Sequence, residues 1–270
     1  MRIMMATRAK KPTIVFVPGG WHPPTAYDLL LPRLHAAGYA TTYVHLPSVG
    51  PVAPVSFEDD VAAVRRVVAG LVELGREVVV VSHSYGATPA TEALTGLARR
   101  EREANGWDGG VIQLVYIAAI VPTKGVSPVE AFGPVKPKEE GGTWMLFKDL
   151  GAGFVSIENP EECFYHDVPP DVAKYHASLL RPQFQPTGAA PLRYEAYRDI
   201  PAAYIFCTED RAFPLAGQQE IVRLTGIQRT TSLTTSHSPF ISDPDGVVDF
   251  LRELLEEKGG WRRVFPLNLL

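Results

Sequence analysis

The chain has 270 residues, 46% hydrophobic and 21% charged, which suits one large α/β domain with room for an inserted subdomain. A formal net charge of −4 without any basic block argues against a nucleic-acid partner, and two cysteines, Cys163 and Cys207, are too few for a disulfide framework and are not spaced as metal ligands. The opening "MRIMMATRAKKP" carries positive charge but no apolar core of signal-peptide length, and no stretch is long enough to span a bilayer, so a cytoplasmic protein without membrane attachment is expected.

In chain order, "PTIVFVPGG" (Pro12–Gly20) predicts a buried strand stopped by Pro18 and two glycines. "AYDLLLPRLHAAG" (Ala26–Gly38) predicts a helix and "YATTYVHLP" (Tyr39–Pro47) a strand. A proline-rich loop over residues 49–55 follows. Ser56 and Asp59 then make a capping-box pattern ahead of a helix whose apolar face is Val61, Val64, Val68 and Leu71. In "REVVVVSHSYGATPA" (Arg76–Ala90), Val78 to Val81 form an unalternated apolar run, as a strand covered on both faces requires. From Gly86, "GATPATEALTGLARRERE" predicts one helix, with Pro89 tolerated in its first turn. Ser84 is therefore expected on a sharp strand-to-helix turn that can lift its hydroxyl above the carboxyl edge of a sheet. "VIQLVYIAAIVP" from Val111 is the next buried strand, and this regular alternation implies parallel strands joined by right-handed crossovers.

After Pro122 the alternation stops. Residues 123–195 are rich in proline, glycine and aromatics, hold no long apolar strand, and read as a cap or lid inserted into a core of residues 1–122 and 196–270. The alternation resumes with "PAAYIFCTED" (Pro201–Asp210) as a strand, "LAGQQEIVRLTG" (Leu215–Gly226) as a helix and "QRTTSL" (Gln228–Leu233) as a short strand. A loop, "TTSHSPF", leads to a last helix over Asp245–Lys258. The apolar tail "WRRVFPLNLL" (Trp261–Leu270) is read as docking on the body or on a second subunit, so a homodimer is one expectation. There is no internal repeat.

In open parallel sheets, ligands bind outside the carboxyl ends of the strands. Four such ends carry useful residues here: Gly19 and Gly20, Ser84, Asp210, and a last one leading to His237. A serine hydroxyl is a poor nucleophile until an imidazole takes its proton, and a buried carboxylate holds that imidazole in the required tautomer. Ser84, Asp210 and His237 supply these three groups in that order, and His237 is the only histidine after the acid. Backbone N–H groups of Gly20 and Tyr85 are the natural pair to receive an oxyanion. Glu209 is a rival acid, and Asp210 could instead cap the next helix. Gly19, Trp21 and His22 are candidate substrate contacts, with a structural role equally open for His22. His83, beside the nucleophile on a tight turn, reads as a packed core histidine, and His166 and His176 as solvated cap residues. The aromatics Phe132, Trp144, Phe147, Phe154, Phe164, Tyr165 and Phe184 exceed what a small cap needs for its own core. Some, Trp144 and Phe164 among them, are expected to face a pocket for a small hydrophobic substrate carrying a bulky group. No spacing of histidines and acids suggests a metal, and no cofactor is expected.

"IVFVPGGWH", "VVVVSHSYGA", "YIFCTEDRAFP" and "SHSPFISDPDGVVDFLREL" together resemble the α/β-hydrolase superfamily, in the branch of plant methylesterases, hydroxynitrile lyases and microbial esterase-like proteins. The likeness covers nearly the whole chain and is weakest in the cap. It implies an α/β-hydrolase fold, a mostly parallel central sheet with helices on both faces and an inserted cap. It also aligns Ser84 with the nucleophile, Asp210 with the acid, His237 with the base, and Gly20 and Tyr85 with the oxyanion hole. Ser82 stands where G-x-S-x-G has its first glycine, and is small enough for the turn. Hydroxynitrile lyases of this branch carry a lysine after the catalytic histidine and a threonine in the first loop. Ser238 and Gly19 occupy those places, so a cation for departing cyanide is missing. The expected function is a serine hydrolase cleaving an ester, thioester or lactone of a small hydrophobic molecule through an acyl-enzyme on Ser84. Lactonisation, C–C bond cleavage or a lyase reaction in secondary metabolism, and a ligand receptor with a slow triad, are the alternatives.

Overall fold

The structure, a computed structural model, describes residues 11–50, 52, 54–133 and 138–256. The apolar tail and the last two residues of the helix expected to end at Lys258 lie outside the described residues. The chain begins with β1 (Thr13–Val17), α1 (Leu31–Ala36), β2 (Ala40–Tyr43), α2 (Phe57–Glu73), β3 (Glu77–His83), α3 (Ala87–Ala93), α4 (Arg99–Ala104) and β4 (Gly110–Ile117). An insertion follows, with α5 (Pro128–Phe132), β5 (Phe147–Gly151), β6 (Phe154–Ile157), α6 (Pro160–Phe164), α7 (Pro170–Leu179) and β7 (Gln183–Phe184). The chain then resumes through β8 (Ala202–Cys207), α8 (Leu215–Thr225), β9 (Arg229–Leu233), α9 (Pro239–Ser242) and α10 (Pro244–Glu256).

Six strands form one parallel sheet in the order β2-β1-β3-β4-β8-β9. The unalternated apolar runs are explained by what lies on each face. Val15, Val17, Val78 and Val80 join one buried cluster with Val64, Val68 and Val72 of α2, the alanines of α3 and Ile221 of α8. Ile14, Phe16, Val79 and Val81 point the other way and pack with Leu34 of α1 and Val247, Leu251 and Leu254 of α10. Full burial of one such side chain contributes about 1.5–3 kcal/mol, and polar residues stand only at the strand ends, Thr13 in β1 and Glu77, Ser82 and His83 in β3. Among the described residues no helix is long and apolar enough to cross a membrane.

The strand order reverses at β1. The chain leaves β1 for β2 on one side and returns to place β3 on the other, so the connections after β1 and β3 diverge and open a crevice at their carboxyl ends. Ser84 and the Gly19–Gly20 loop sit there.

Several elements depart from the sequence expectation, each for a local reason. The helix expected over Ala26–Gly38 is a 3-10 turn (Pro24–Tyr27) followed by α1, because Pro32 is accommodated only in the first turn of a new helix. The single helix expected from Gly86 is two, α3 and α4. Gly96 turns to φ +75° and Ala98 makes a bridge to Val111, which draws the chain to the edge of β4. β2 is shorter than the run Tyr39–Pro47. The insertion holds an antiparallel sheet, β5-β6-β7, whose strands are too short to show as apolar runs. The capping box at Ser56 is present: Ser56 Oγ accepts from the Asp59 N–H and Asp59 accepts from the Ser56 N–H.

Candidate active site

β3 ends in His83 with extended backbone, and Ser84 then turns to φ +50°, a left-handed conformation that costs a non-glycine residue about 1 kcal/mol or more. A short 3-10 turn over Ser84–Gly86 leads into α3. Two glycines permit the turn. A Cβ on Gly86 would lie 2.0 Å from the Pro18 carbonyl oxygen, so α3 can start beneath the end of β1 only without a side chain there. A Cβ on Gly19 would lie 2.7 Å from His83 Nδ1 and 2.9 Å from Ser84 Cβ, so the β1 loop reaches Ser84 only as glycine. From the other side, the Ile120 N–H donates to the Ser84 carbonyl at 3.1 Å.

His237, in the loop after β9, is buried, and its Nδ1 donates to Asp210 Oδ2 at 2.6 Å. Asp210 follows β8. Its Oδ1 accepts from the N–H groups of Ala212 (2.7 Å) and Phe213 (2.8 Å), and its Oδ2 also accepts from Gln218 Nε2 at 3.2 Å. The backbone donors occupy one oxygen and leave the other aimed at the imidazole. Glu209, the rival acid, is exposed, and its carbonyl accepts from His166 Nε2. With its proton on Nδ1, His237 keeps Nε2 free to take one from a hydroxyl.

Two further imidazoles lie beneath this pair. His83 Nε2 donates to the His237 carbonyl at 2.9 Å. His22 Nδ1 donates to the Gly20 carbonyl at 2.7 Å, and its Nε2 accepts from Tyr165 Oη at 3.0 Å. Both rings are buried against Phe240, and burial holds His22 down to about 3 and His83 well below the ordinary imidazole range. In the unfolded chain each takes a proton near pH 6.5, so below that pH the unfolded state binds more protons than the folded one. Stability then falls with falling pH by about 1.4 kcal/mol per unit for each ring. The urea midpoint is therefore expected to drop steadily from pH 7 to pH 5, less steeply in His83→Gln. A midpoint flat over that interval would mean that the rings ionise within the fold.

Ser84, His237, Gly20, Trp21 and Tyr85 line one cavity of about 640 Å³. Its remaining wall is largely apolar, with Ile120 and Phe213 from the core and Phe132, Met145, Phe147 and Val155 from the insertion. Among the described residues no lysine or arginine lines it.

Among the candidate substrate contacts, Trp21 is on this wall, in a left-handed conformation (φ +62°) and held by its Nε1 to the Val155 carbonyl. Gly19, His22, Trp144 and Phe164 are not. Gly19 lies behind Gly20 against His83, and His22 lies below it. Phe164 is buried under the site, 6.1 Å from the Trp21 ring and 5.5 Å from that of His237. Trp144 carries the Arg211 guanidinium 4.2 Å above its ring. Of the insertion aromatics, Phe132 and Phe147 face the cavity, and Phe154 and Phe184 pack on each other. His176, expected to be solvated, is buried next to Tyr165. Sequence reasoning missed Met145, Val155, Phe213 and Gln183. Only Phe213, three residues past Asp210 on the same strand-end loop, carried a positional signal.

A family model described as the alpha/beta hydrolase family matches residues 14–250. Alpha/beta hydrolase nvfD of Aspergillus novofumigatus is 30% identical over 250 residues, covering 92% of this chain and 98% of its own length. Polyneuridine aldehyde esterase of Rauvolfia serpentina is 25% identical over 268 residues, covering 89% and 94%. A crystal structure of polyneuridine aldehyde esterase superposes with a TM-score of 0.73 at 22% identity, over 90% of this chain and 99% of that one.

Proposed function

The chain belongs to the alpha/beta hydrolase family, and from that premise we propose that it is a serine hydrolase acting on an ester, thioester or lactone of a small hydrophobic molecule with a bulky apolar group. The observation that carries this reading is His237, held from behind by the buried Asp210, lining one apolar cavity with Ser84, Gly20 and Tyr85. Ser84 Oγ attacks the carbonyl carbon as His237 Nε2 takes its proton, and the Asp210 carboxylate stabilises the imidazolium. The N–H groups of Gly20 and Tyr85 receive the oxyanion. Collapse breaks the bond to the leaving oxygen or sulfur, which departs with the proton from His237. Water, deprotonated by the same nitrogen, then releases the acid and restores Ser84.

Residues 123–195 act in this reading as the lid over a core of residues 1–122 and 196–270, and they choose the substrate through Phe132 and Phe147. Among the described residues the cavity wall bears no lysine or arginine, and Ser238, next to His237, is buried and uncharged, which disfavours expulsion of cyanide.

The test is a series of p-nitrophenyl esters of rising acyl length, with and without a serine-directed phosphonate. Steady, phosphonate-sensitive turnover is expected. In Phe132→Ala and Phe147→Ala, kcat/KM for a long acyl chain should fall about tenfold while that for acetate stays within about twofold, because only the long chain exchanges water for the lid. A stoichiometric burst with no steady rate would instead identify a receptor, and cyanide release from mandelonitrile faster than any ester hydrolysis would identify a lyase.

A further inference from the structure

The carboxylate of Asp60, in the first turn of α2, is fully buried, and among the described residues no cation pairs with it. Burying a carboxylate costs several kcal/mol unless donors surround it. Three do: the Ser48 N–H at 2.9 Å, Ser48 Oγ at 2.6 Å and Tyr85 Oη at 2.8 Å. Burial pushes the Asp60 carboxyl above its ordinary range against the pull of these donors, and it pushes the Tyr85 phenol far up, so that the phenol remains a donor.

The contacts continue beyond Ser48 in one direction only. Having given its proton to Asp60, Ser48 Oγ accepts from Gln183 Nε2 at 3.0 Å, and Gln183 Oε1 accepts from the Trp21 N–H at 3.3 Å. A backbone N–H can only donate, so the orientation of the Gln183 amide is forced, and with it the direction of every bond back to the carboxylate. Gln183 is itself fixed on the insertion strand β7, where the Phe184 N–H donates to the Ser48 carbonyl and the Arg181 N–H to the Trp21 carbonyl. The two ends of this chain are the two halves of the oxyanion hole. Tyr85 supplies one N–H directly. Trp21 is the residue after Gly20, and the Gly19 carbonyl accepts from the His22 N–H at 3.3 Å, which sets the peptide plane that carries the Gly20 N–H.

We propose that Asp60 is a positioning residue for the reaction: through Tyr85 on one side, and Ser48 and Gln183 on the other, its carboxylate fixes the two halves of the oxyanion hole relative to each other. This rests on the serine-hydrolase reading above. Removing an oxyanion donor outright costs about 10²–10³ in rate, and displacing one costs less.

The experiment compares wild type with Asp60→Asn, Tyr85→Phe and Gln183→Met, measuring kcat and KM for p-nitrophenyl butyrate and the inhibition constant of a trifluoromethyl ketone, whose adduct places an oxyanion in the hole. In Asp60→Asn, kcat should fall about 30-fold with KM within about threefold, and ketone binding should weaken by the same factor as kcat. Tyr85→Phe, which keeps the ring and the backbone N–H, should move kcat and ketone binding together by about tenfold. The Asp60→Asn/Tyr85→Phe double variant should lose no more than Asp60→Asn alone, because both act through one network. If Asp60→Asn does not fold, Tyr85→Phe and Gln183→Met decide the matter. Unchanged kcat and ketone affinity with only a lowered melting temperature would reduce Asp60 to a structural role. Ser84→Ala run alongside separates the two failures: retained turnover in that variant, or no ester turnover in wild type, overturns the underlying reading and this proposal with it.

Discussion

Ser84→Ala is expected to lower steady ester turnover by about 10⁴- to 10⁶-fold while the protein unfolds at nearly the same temperature as wild type. The size follows from the proposed role, in which no acyl-enzyme forms without the hydroxyl and only the proposed oxyanion donors and substrate binding remain. The unchanged stability follows from the position. Ser84 borders the cavity, no side-chain bond to it supports the fold among the described residues, and alanine meets the same φ of +50° with no new strain. Intact-mass analysis of wild type after phosphonate treatment should find one adduct, located on Ser84. An adduct on Ser82 would displace the elbow assignment, and this is a sharp alternative because Ser82 is buried within the sheet between Val17 and Tyr116.

Asp210→Asn is expected to cost about 10⁴ in kcat, through the tautomer of His237 rather than through loss of fold. The Ala212 and Phe213 N–H groups occupy Oδ1 and require an acceptor there, so the new amide must turn its NH₂ toward His237. His237 can accept from that NH₂ only with its Nδ1 bare, which moves its proton to Nε2, the nitrogen that takes the proton of Ser84 in the proposed mechanism. Gln218 Nε2, which donates to the same carboxylate oxygen in the native protein, then faces a second donor. Rates at saturating ester and the ¹⁵N shifts of the imidazole check the two halves of the argument. Glu209→Gln, at an exposed side chain, is the control and should retain activity within about twofold. If the loss follows Glu209 instead, the acid is misassigned.

How much of this was legible in the chain depends on how local the cause is. The strand runs at Ile14–Val17 and Val78–Val81 could be read because burial on both sheet faces demands apolar residues without alternation. The elbow at Ser84 could be read because strand, turn and helix are contiguous, whereas the clash with Pro18, after β1, that keeps position 86 a glycine is a distant contact. The capping box at Ser56 is a contact three residues long. Where the cause is distant, the chain is silent. The break between α3 and α4 follows from Ala98 pairing with Val111, and the sheet in the insertion from short strands whose partners set their register.

The same division runs through the site. The chain order of Ser84, Asp210 and His237 and the loop positions of Gly20 and Tyr85 belong to the sequence by itself, since each follows a strand that announces its own end, but that Asp210 rather than Glu209 meets His237 is decided by the fold. Which aromatic faces the cavity belongs to the tertiary structure: Phe164 and Phe147 are equally aromatic, but α6 tucks Phe164 beneath His237 while β5 presents Phe147 to the wall. Asp60 and Gln183 stand in "FEDD" and "RPQF", runs with nothing to single them out, and Gln183 meets Ser48 across 135 positions of chain. Only packing decides that these polar groups are buried. Once they are, each must find its partner, and the partners available are those that tie Tyr85 to the Gly20–Trp21 turn, the two halves of the proposed oxyanion hole.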